Sequence, residues 1–435
     1  MQTLDAALAH HWPAANRALI AKMIGELSYE QILAATADGE DNGYRLELGA
    51  AGVWRYRARL NLWGQPMVDP QSLTPPPGER PEAADFLLAL APALGMHDGQ
   101  VAEHLEDLFA TLRADCQLRE ARRGLSANAA IRLAEPERQR LRQALAERVA
   151  YPADYRLLPV HPWQWQQILA EPAAAVLSHA QYARLETAPY RYHELFGVIW
   201  RESLVPRLGD DEQALLMAEL MQCDERGRPW LAAYIDASGV TADRWLIRLF
   251  EATLVPMWHL MCRYGVSLIA HGQNLTVILR DGVPHRLALK DFQGDLRLVD
   301  EEFAEAADLP EALKRVTVRL PPDKLIHDLQ TGHFVTTLRF IAPLAESCGV
   351  SETRFYRLCG AVLERYVARH PELAERFARF DLFAPRILRL TLNRAKFLHA
   401  TDHAAERMLA EMQLTVANPL HHAGAQTPDK EVLDA

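Results

Sequence analysis

With 435 residues, 49% of them hydrophobic and 24% charged, the chain can bury a large core, and its composition excludes a disordered or fibrous class. A formal net charge of −10 and the lack of any lysine or arginine run exclude nonspecific nucleic-acid binding, so an anionic ligand needs a locally basic pocket. Five cysteines without a CxxC pair argue against a disulfide framework, and no apolar run is long enough for a signal h-region or a membrane span; a cytoplasmic protein with no membrane partner is expected.

Apolar positions recur every three or four residues from Ala14 to Ala35, which predicts an amphipathic helix, and "DNGYRLELGAAGVWRYRARLNLWGQPMVD" then alternates as strands do. "DPQSLTPPPGERPEA" reads as a proline-rich linker with a boundary near residue 75, and residues 83 to 149 read as helices. After the apolar run "LLPV", which reads as a buried strand by composition, comes "HPWQWQQIL". From residue 190 helical periodicity dominates through "RWLIRLFEATLVPMWHLMCRYG", where Pro256 can kink the helix and Gly265 can cap it. "LTVILRDGVPHRLALKDF" predicts a hairpin turning at Asp281 and Gly282, and "LRLV" predicts one more strand. Helices return beyond residue 310, and the last fifteen residues read as a frayed tail.

The hairpin carries the chemistry. It places His271, Gln273 and Asn274 before one strand and Lys290, Asp291, Gln293 and Asp295 after its partner, so pairing brings these ends together. Taken singly, each half is equally well a turn or a solvated strand end. Superposed, a carboxylate and an amide oxygen offer hard ligands for Mg²⁺, and a histidine and a lysine can meet anionic oxygens of a nucleotide or an acid. The layout resembles the active centre of kinase-like phosphotransferases, but Gln273 stands where their loop has an aspartate, and an amide cannot accept a proton from a substrate hydroxyl. Adenylation of a carboxylate needs no such base, because the nucleophile is already an anion.

The blocks "LLPVHPWQWQ", "APYRYHELFGVIWRES", "LIAHGQNLTVILRDGVPHRLALKDFQGDLRLVDEEF", "LIHDLQTGHFVTTLRF" and "RFARFDLFAPRILRLTLNRAKF" together resemble the IucA/IucC family of NRPS-independent siderophore synthetases, nearest its aerobactin type. The likeness runs from the opening helix to about residue 420. It implies an α+β, cupped-hand fold of thumb, fingers and a kinase-like palm with a mixed β-sheet flanked by helices. On this sequence the thumb corresponds to residues 1–150, the fingers to 151–200 and the palm to 201–435. It implies an ATP- and Mg²⁺-dependent enzyme, commonly a homodimer. Such an enzyme adenylates a carboxylate of citrate or a citryl conjugate and condenses it with the amine of a hydroxamate building block. His271, Gln273, Asn274 and Asp291 take the catalytic positions, with Asn274 and Asp291 at the metal and Lys290 and Asp295 in the same pocket.

His161, directed by Pro162, is expected to bond a substrate carboxylate or phosphate and Gln164 to add an amide contact; Trp163 and Trp165 could wall the cleft but are read as structural. A core histidine among packing tryptophans is the alternative. Arg201, beside Glu202, and Arg386 and Lys396 are candidates for binding a multiply charged acid. His327 and His333 lack metal-ligand spacing, and a capped helix end is expected there.

Two family blocks are absent: a "GHP…KGR" segment before "PVHPWQ" and a Ser-x-Arg-Thr segment after it. Their loss removes phosphate and carboxylate contacts, so a chain lacking them is expected to bind ATP poorly. The motifs surviving on both sides favour a protein that possesses further residues there, which an intact mass larger than this sequence accounts for would show. A kinase-like phosphotransferase and a noncatalytic binding protein derived from the synthetases are the competing readings.

Overall fold

The computed structural model describes residues 2–39, 42–133, 155–159, 174–176, 179–185, 197–201, 204–290, 295–307, 317–393 and 414–424, with backbone alone for 2–7, 155–201 and 422–424. Two compact units emerge: Met1–Leu125 with Leu141–Ala146 and Leu388–Ala417, and Ser126–Arg140 with Glu147–Ile387 and Asn418–Ala435.

In the first unit, helix α1 (Gln2–Tyr29) precedes an antiparallel sheet of β1 (Thr36–Ala37), β2 (Gly43–Glu47), β3 (Val53–Leu60) and β4 (Pro66–Val68), and helices α2 (Ala83–Leu94) and α3 (Asp98–Ala121) follow. The opening helix starts earlier and stops sooner than its periodicity predicts. Gln31 takes φ 60°, and the Ile32 and Leu33 amides both fold back onto the Leu27 carbonyl. Leu33 therefore reaches the core from a turn and not from a helix. Inside, Trp54 meets Phe86 edge-on at 5.1 Å, packed with Ile20, Ile24, Leu90 and Leu112; each such side chain contributes about 2–3 kcal/mol by leaving water. Asn16 accepts the Ala83 amide at 2.7 Å and so anchors the start of α2. Residues 388–393 join this unit through Arg389, which donates to the Tyr29 carbonyl, and through buried Glu30, which accepts from the amide and side chain of Asn393.

The second unit holds β5 (Tyr155–Pro159), β6 (Ala174–Val176), β7 (His179–Leu185), β8 (Gly197–Arg201) and β9 (Glu212–Leu216), then helices α4 (Trp230–Ser238) and α5 (Ala242–Tyr264). Strands β10 (Val266–Leu268), β11 (Leu275–Arg280), β12 (Val283–Leu289), β13 (Leu296–Val299) and β14 (Arg319–Leu320) follow, with helix α6 (Glu352–Arg369) beyond. The strands form three sheets, in the orders β5-β7-β8, β6-β12-β11-β9 and β10-β13-β14. Two of these strands lie where helical periodicity was expected. Residues "EQALL" of β9 are helix formers, yet they pair antiparallel with β11 from Thr276↔Leu216 to Arg280↔Glu212, so tertiary pairing overrides intrinsic preference.

The hairpin forms as its sequence predicts. Asp281 and Gly282 take φ 50° and 78°, the pair of positive values a tight turn between twisted strands requires. "LRLV" is a strand, but it leaves the hairpin sheet and pairs with β10. Behind the hairpin, Trp245 of α5 donates to the Gly282 carbonyl at 3.0 Å. Gly265 ends α5 in the left-handed region at φ 65°, and a Cβ there would lie 2.3 Å from Val299 Cγ1. Turn and close approach both demand glycine at that position. Pro256 sits inside α5.

Candidate active site

The hairpin register sets Leu275 opposite Leu289, and one step further the Lys290 amide donates to the Asn274 carbonyl at 3.2 Å. The segment before β11 is thereby joined to the segment after β12. A tight turn closes from the Asn274 amide to the His271 carbonyl at 2.9 Å, and the Gly272 carbonyl accepts the Ala218 amide at 3.0 Å. A Cβ on Gly272 would lie 2.9 Å from Met221 Cε and 3.3 Å from Ala218 Cα, so a side chain there would push the Met221 tip aside and press on the Ala218 backbone.

Asn274 is buried, 5% exposed, and its Nδ2 donates to the Asp295 Oδ2 at 2.7 Å and to the Ile269 carbonyl at 3.1 Å. Both amide hydrogens are thus committed, which leaves its Oδ1 as the side chain's acceptor. The same Asp295 oxygen lies 4.0 Å from His271 Nε2, and both side chains are about one-third exposed. Gln273 is exposed at the turn and Lys290 half-buried. The structure therefore brings His271, Gln273, Asn274, Lys290 and Asp295 together. Asp291, His161, Gln164 and Lys396, with Trp163, Trp165 and Glu202, lie outside the described residues. Arg201 is placed by backbone alone as the last residue of β8, and Arg386 is exposed at the start of strand Arg386–Leu388. Among the described residues, no group of three or more His, Cys, Asp or Glu is arranged to hold a metal ion.

Beneath the turn lies a polar layer that sequence reasoning missed. Asp328, 3% exposed, accepts from Arg297 Nη1 at 2.7 Å, and its carbonyl accepts the Ala270 amide at 3.4 Å. Burial pushes the Asp328 carboxyl up to about 6 against the pull of Arg297. His333 is not the helix cap expected from sequence. It sits inside a π-helical stretch, Gln330–Leu338, fully buried, with Nδ1 2.9 Å from the Ala270 carbonyl. Burial holds its imidazole down to about 4 and so neutral. In the sequence, "TGHF" shows only a histidine between Gly332 and Phe334 in a mixed polar and apolar stretch.

Comparison with known proteins settles the lineage. An aerobactin synthase of Escherichia coli is 37% identical over an alignment of 571 positions that covers 94% of this chain and 98% of that protein. The chain belongs to the IucA/IucC family of siderophore synthetases. The family's own profile, "IucA / IucC family", matches residues 107–193, and a second, "Ferric iron reductase FhuF-like transporter", matches residues 243–408. The aerobactin synthetase IucC of Klebsiella pneumoniae superposes with a TM-score of 0.81 at 34% identity, covering 96% of this chain and 99% of that one. The ATP-bound aerobactin synthetase IucA from the same organism shares the fold at a TM-score of 0.64 and 12% identity, covering 92% of this chain and 99% of that one. The fold is thus the α+β fold of these synthetases, and the chain is an enzyme of a class whose members are named synthases and ligases. The E. coli alignment is longer than the 435 residues of this chain, so the relative carries a stretch with no counterpart here, as the two absent blocks anticipate.

Proposed function

We propose that this synthetase is ATP-dependent and of the aerobactin type. It adenylates a carboxylate of citrate or a citryl hydroxamate, then joins it to the amine of a hydroxamate building block. The observation that carries the reading is the 37% identity with an aerobactin synthase across 98% of that protein's length. The family member solved with ATP has the same fold, which is consistent with nucleotide use here.

In the first step a carboxylate oxygen of the acid attacks the α-phosphorus of ATP, and the bond from that phosphorus to the pyrophosphate oxygen breaks. No proton has to be removed from the nucleophile, which suits a turn bearing Gln273 in place of a base. In the second step the neutral amine attacks the acyl carbon, the acyl C–O bond breaks so that AMP leaves with the oxygen that came from the acid, and the nitrogen releases one proton to solvent. Half-buried His271 and Lys290 would meet anionic oxygens of nucleotide or acid, and exposed Gln273 would orient them. The donor chemistry suits Mg²⁺: Asn274 Oδ1, left over once its Nδ2 has bonded Asp295 and Ile269, is a hard oxygen donor, and Asn274 and Asp291 would hold the ion. Bound there, Mg²⁺ would offset negative charge on the phosphates. His161, Gln164, Arg201, Arg386 and Lys396 are proposed contacts to the multiply charged acid. We place the reaction in the cytoplasm, in a homodimer acting without nucleic acid or membrane; among the described residues no helix is long and apolar enough to cross a membrane.

The test incubates the protein with ATP, Mg²⁺, citrate or a citryl hydroxamate, and excess hydroxylamine to trap the activated acyl group. AMP and pyrophosphate that appear only with the acid support the reading. ADP would point to a phosphotransferase, and absence of turnover by protein of verified mass would point to a noncatalytic binding role.

A further inference from the structure

The turn that carries His271 and Asn274 is gripped from below at one residue, through the two peptide groups that flank its Cα. The Ala270 amide donates to the Asp328 carbonyl at 3.4 Å, and the Ala270 carbonyl lies 2.9 Å from His333 Nδ1. A carbonyl has no hydrogen to give, so His333 must be the donor and its proton must sit on Nδ1. Its Nε2 is then a bare acceptor, buried and without a hydrogen-bond partner among the described residues. An imidazole left half-satisfied in a core costs stability, and such a cost persists where the other half has a task.

The local backbone is built for this contact. Residues Gln330–Leu338 wind as a π-helix, a form that inserts an extra residue per turn and recurs beside functional sites. Two carbonyls in the stretch are met by side chains: Thr336 Oγ1 donates to Gly332 at 2.6 Å and Arg339 Nε to Val335 at 2.9 Å. Gly332 lets the helix press against the turn, since a Cβ there would lie 3.2 Å from the Ala270 nitrogen and 3.5 Å from Ile269 Cγ2. On the other side of the same segment, the Ile269 amide donates to the Asp295 carbonyl at 3.0 Å and the Ile269 carbonyl accepts from Asn274. Ile269 and Ala270 are thus fixed at both peptide groups.

We propose that His333 is a positioning residue of this synthetase: by donating from Nδ1 to the Ala270 carbonyl, it holds the His271–Asn274 turn in the shape that delivers His271 and Asn274 to Asp295. It touches no reactant, and its role rests on the proposed function only for the catalytic consequence. The geometry distinguishes two amides. The Asn Nδ2 lies where the imidazole Nδ1 lies and can replace the bond, whereas the Gln Nε2 lies at the Nε2 position and cannot.

The experiment compares His333→Leu, His333→Gln and His333→Asn in the full chain. It measures amide hydrogen exchange of the segment 268–275, together with kcat and KM for acid-dependent AMP formation. Leu and Gln are expected to speed exchange of that segment about tenfold or more and to lower kcat by a similar factor, with KM for ATP little changed; Asn is expected to restore both. Exchange in the Leu and Gln variants equal to wild type, or an Asn variant as impaired as Gln, would overturn the proposal. Should Leu fail to fold, the contrast between Gln and Asn decides alone. A wild-type protein that forms no AMP would refute the proposed function, while the exchange contrast would still decide what His333 does.

Discussion

Glu212 gives the sharpest handle on how the hairpin sheet is held. It begins the edge strand β9, its side chain is 4% exposed, and its carboxylate accepts from Arg286 at 2.6 and 3.2 Å, from Arg280 at 3.1 Å and from the Gly209 amide at 3.1 Å. These donors, the Arg286 hydrogen bonds first, hold its carboxyl far below the usual 4.5, at about 2, against the opposing effect of burial. A lowering of that size corresponds to a ceiling of ~3 kcal/mol between ionised and protonated forms. The Arg280 side chain is 47% exposed, so solvent screening reduces the value, and Glu212→Gln is expected to cost roughly 1–2 kcal/mol at pH 7. Because the folded pKa is depressed, this stability is fully present above about 4.5 and is lost as pH falls toward about 2. Urea unfolding followed by tryptophan fluorescence at pH 7 and pH 3.5 measures both proteins. The difference between them should shrink by roughly half at the lower pH. A difference that is absent at pH 7, or undiminished at pH 3.5, would refute the reasoning.

Three further outcomes follow from the same geometry. Asn274→Ala removes the donor shared by Ile269 and Asp295; acid-dependent AMP formation should fall roughly 10–100-fold, and unfolding by urea should show a cost of about 1–3 kcal/mol. Gly265→Ala combines a left-handed φ with a Cβ driven into Val299, and a loss of roughly 2–4 kcal/mol is expected in the same assay. A thiol reagent should label exposed Cys223 first in the native protein, whereas buried Cys116, Cys262 and Cys359 should react only on unfolding; burial pushes the Cys262 and Cys359 thiols up, away from the reactive thiolate.

The hairpin was legible because its signals are local. Asp281 and Gly282 specify the turn by their own backbone preferences, and once the turn is fixed, period-two pairing brings Asn274 beside Lys290. Gly265 was legible as a helix stop for the same reason, although its packing against Val299 was not. Strand β9 was misread because Glu, Gln, Ala and Leu favour helices in isolation and only the partner strand β11 makes them extended. The polar layer under the site was hidden by distance along the chain. His333 and Ala270 are 63 residues apart, Asp328 and Arg297 are 31 apart, and no spacing rule links such pairs. Membership of residues 388–393 in the first unit was equally hidden, since it rests on Arg389 and Asn393 reaching Tyr29 and Glu30.

The central claim is that the acid is activated by adenylation at the turn bearing Gln273, and isotope transfer tests it most directly. Citrate or citryl hydroxamate with oxygen-18 in its carboxylates is incubated with ATP, Mg²⁺ and the acceptor amine, and the nucleotide product is weighed by mass spectrometry. The account predicts AMP carrying one oxygen-18, the bridging oxygen taken from the acid when the amine displaces it. AMP without the label, or ADP in its place, would contradict it.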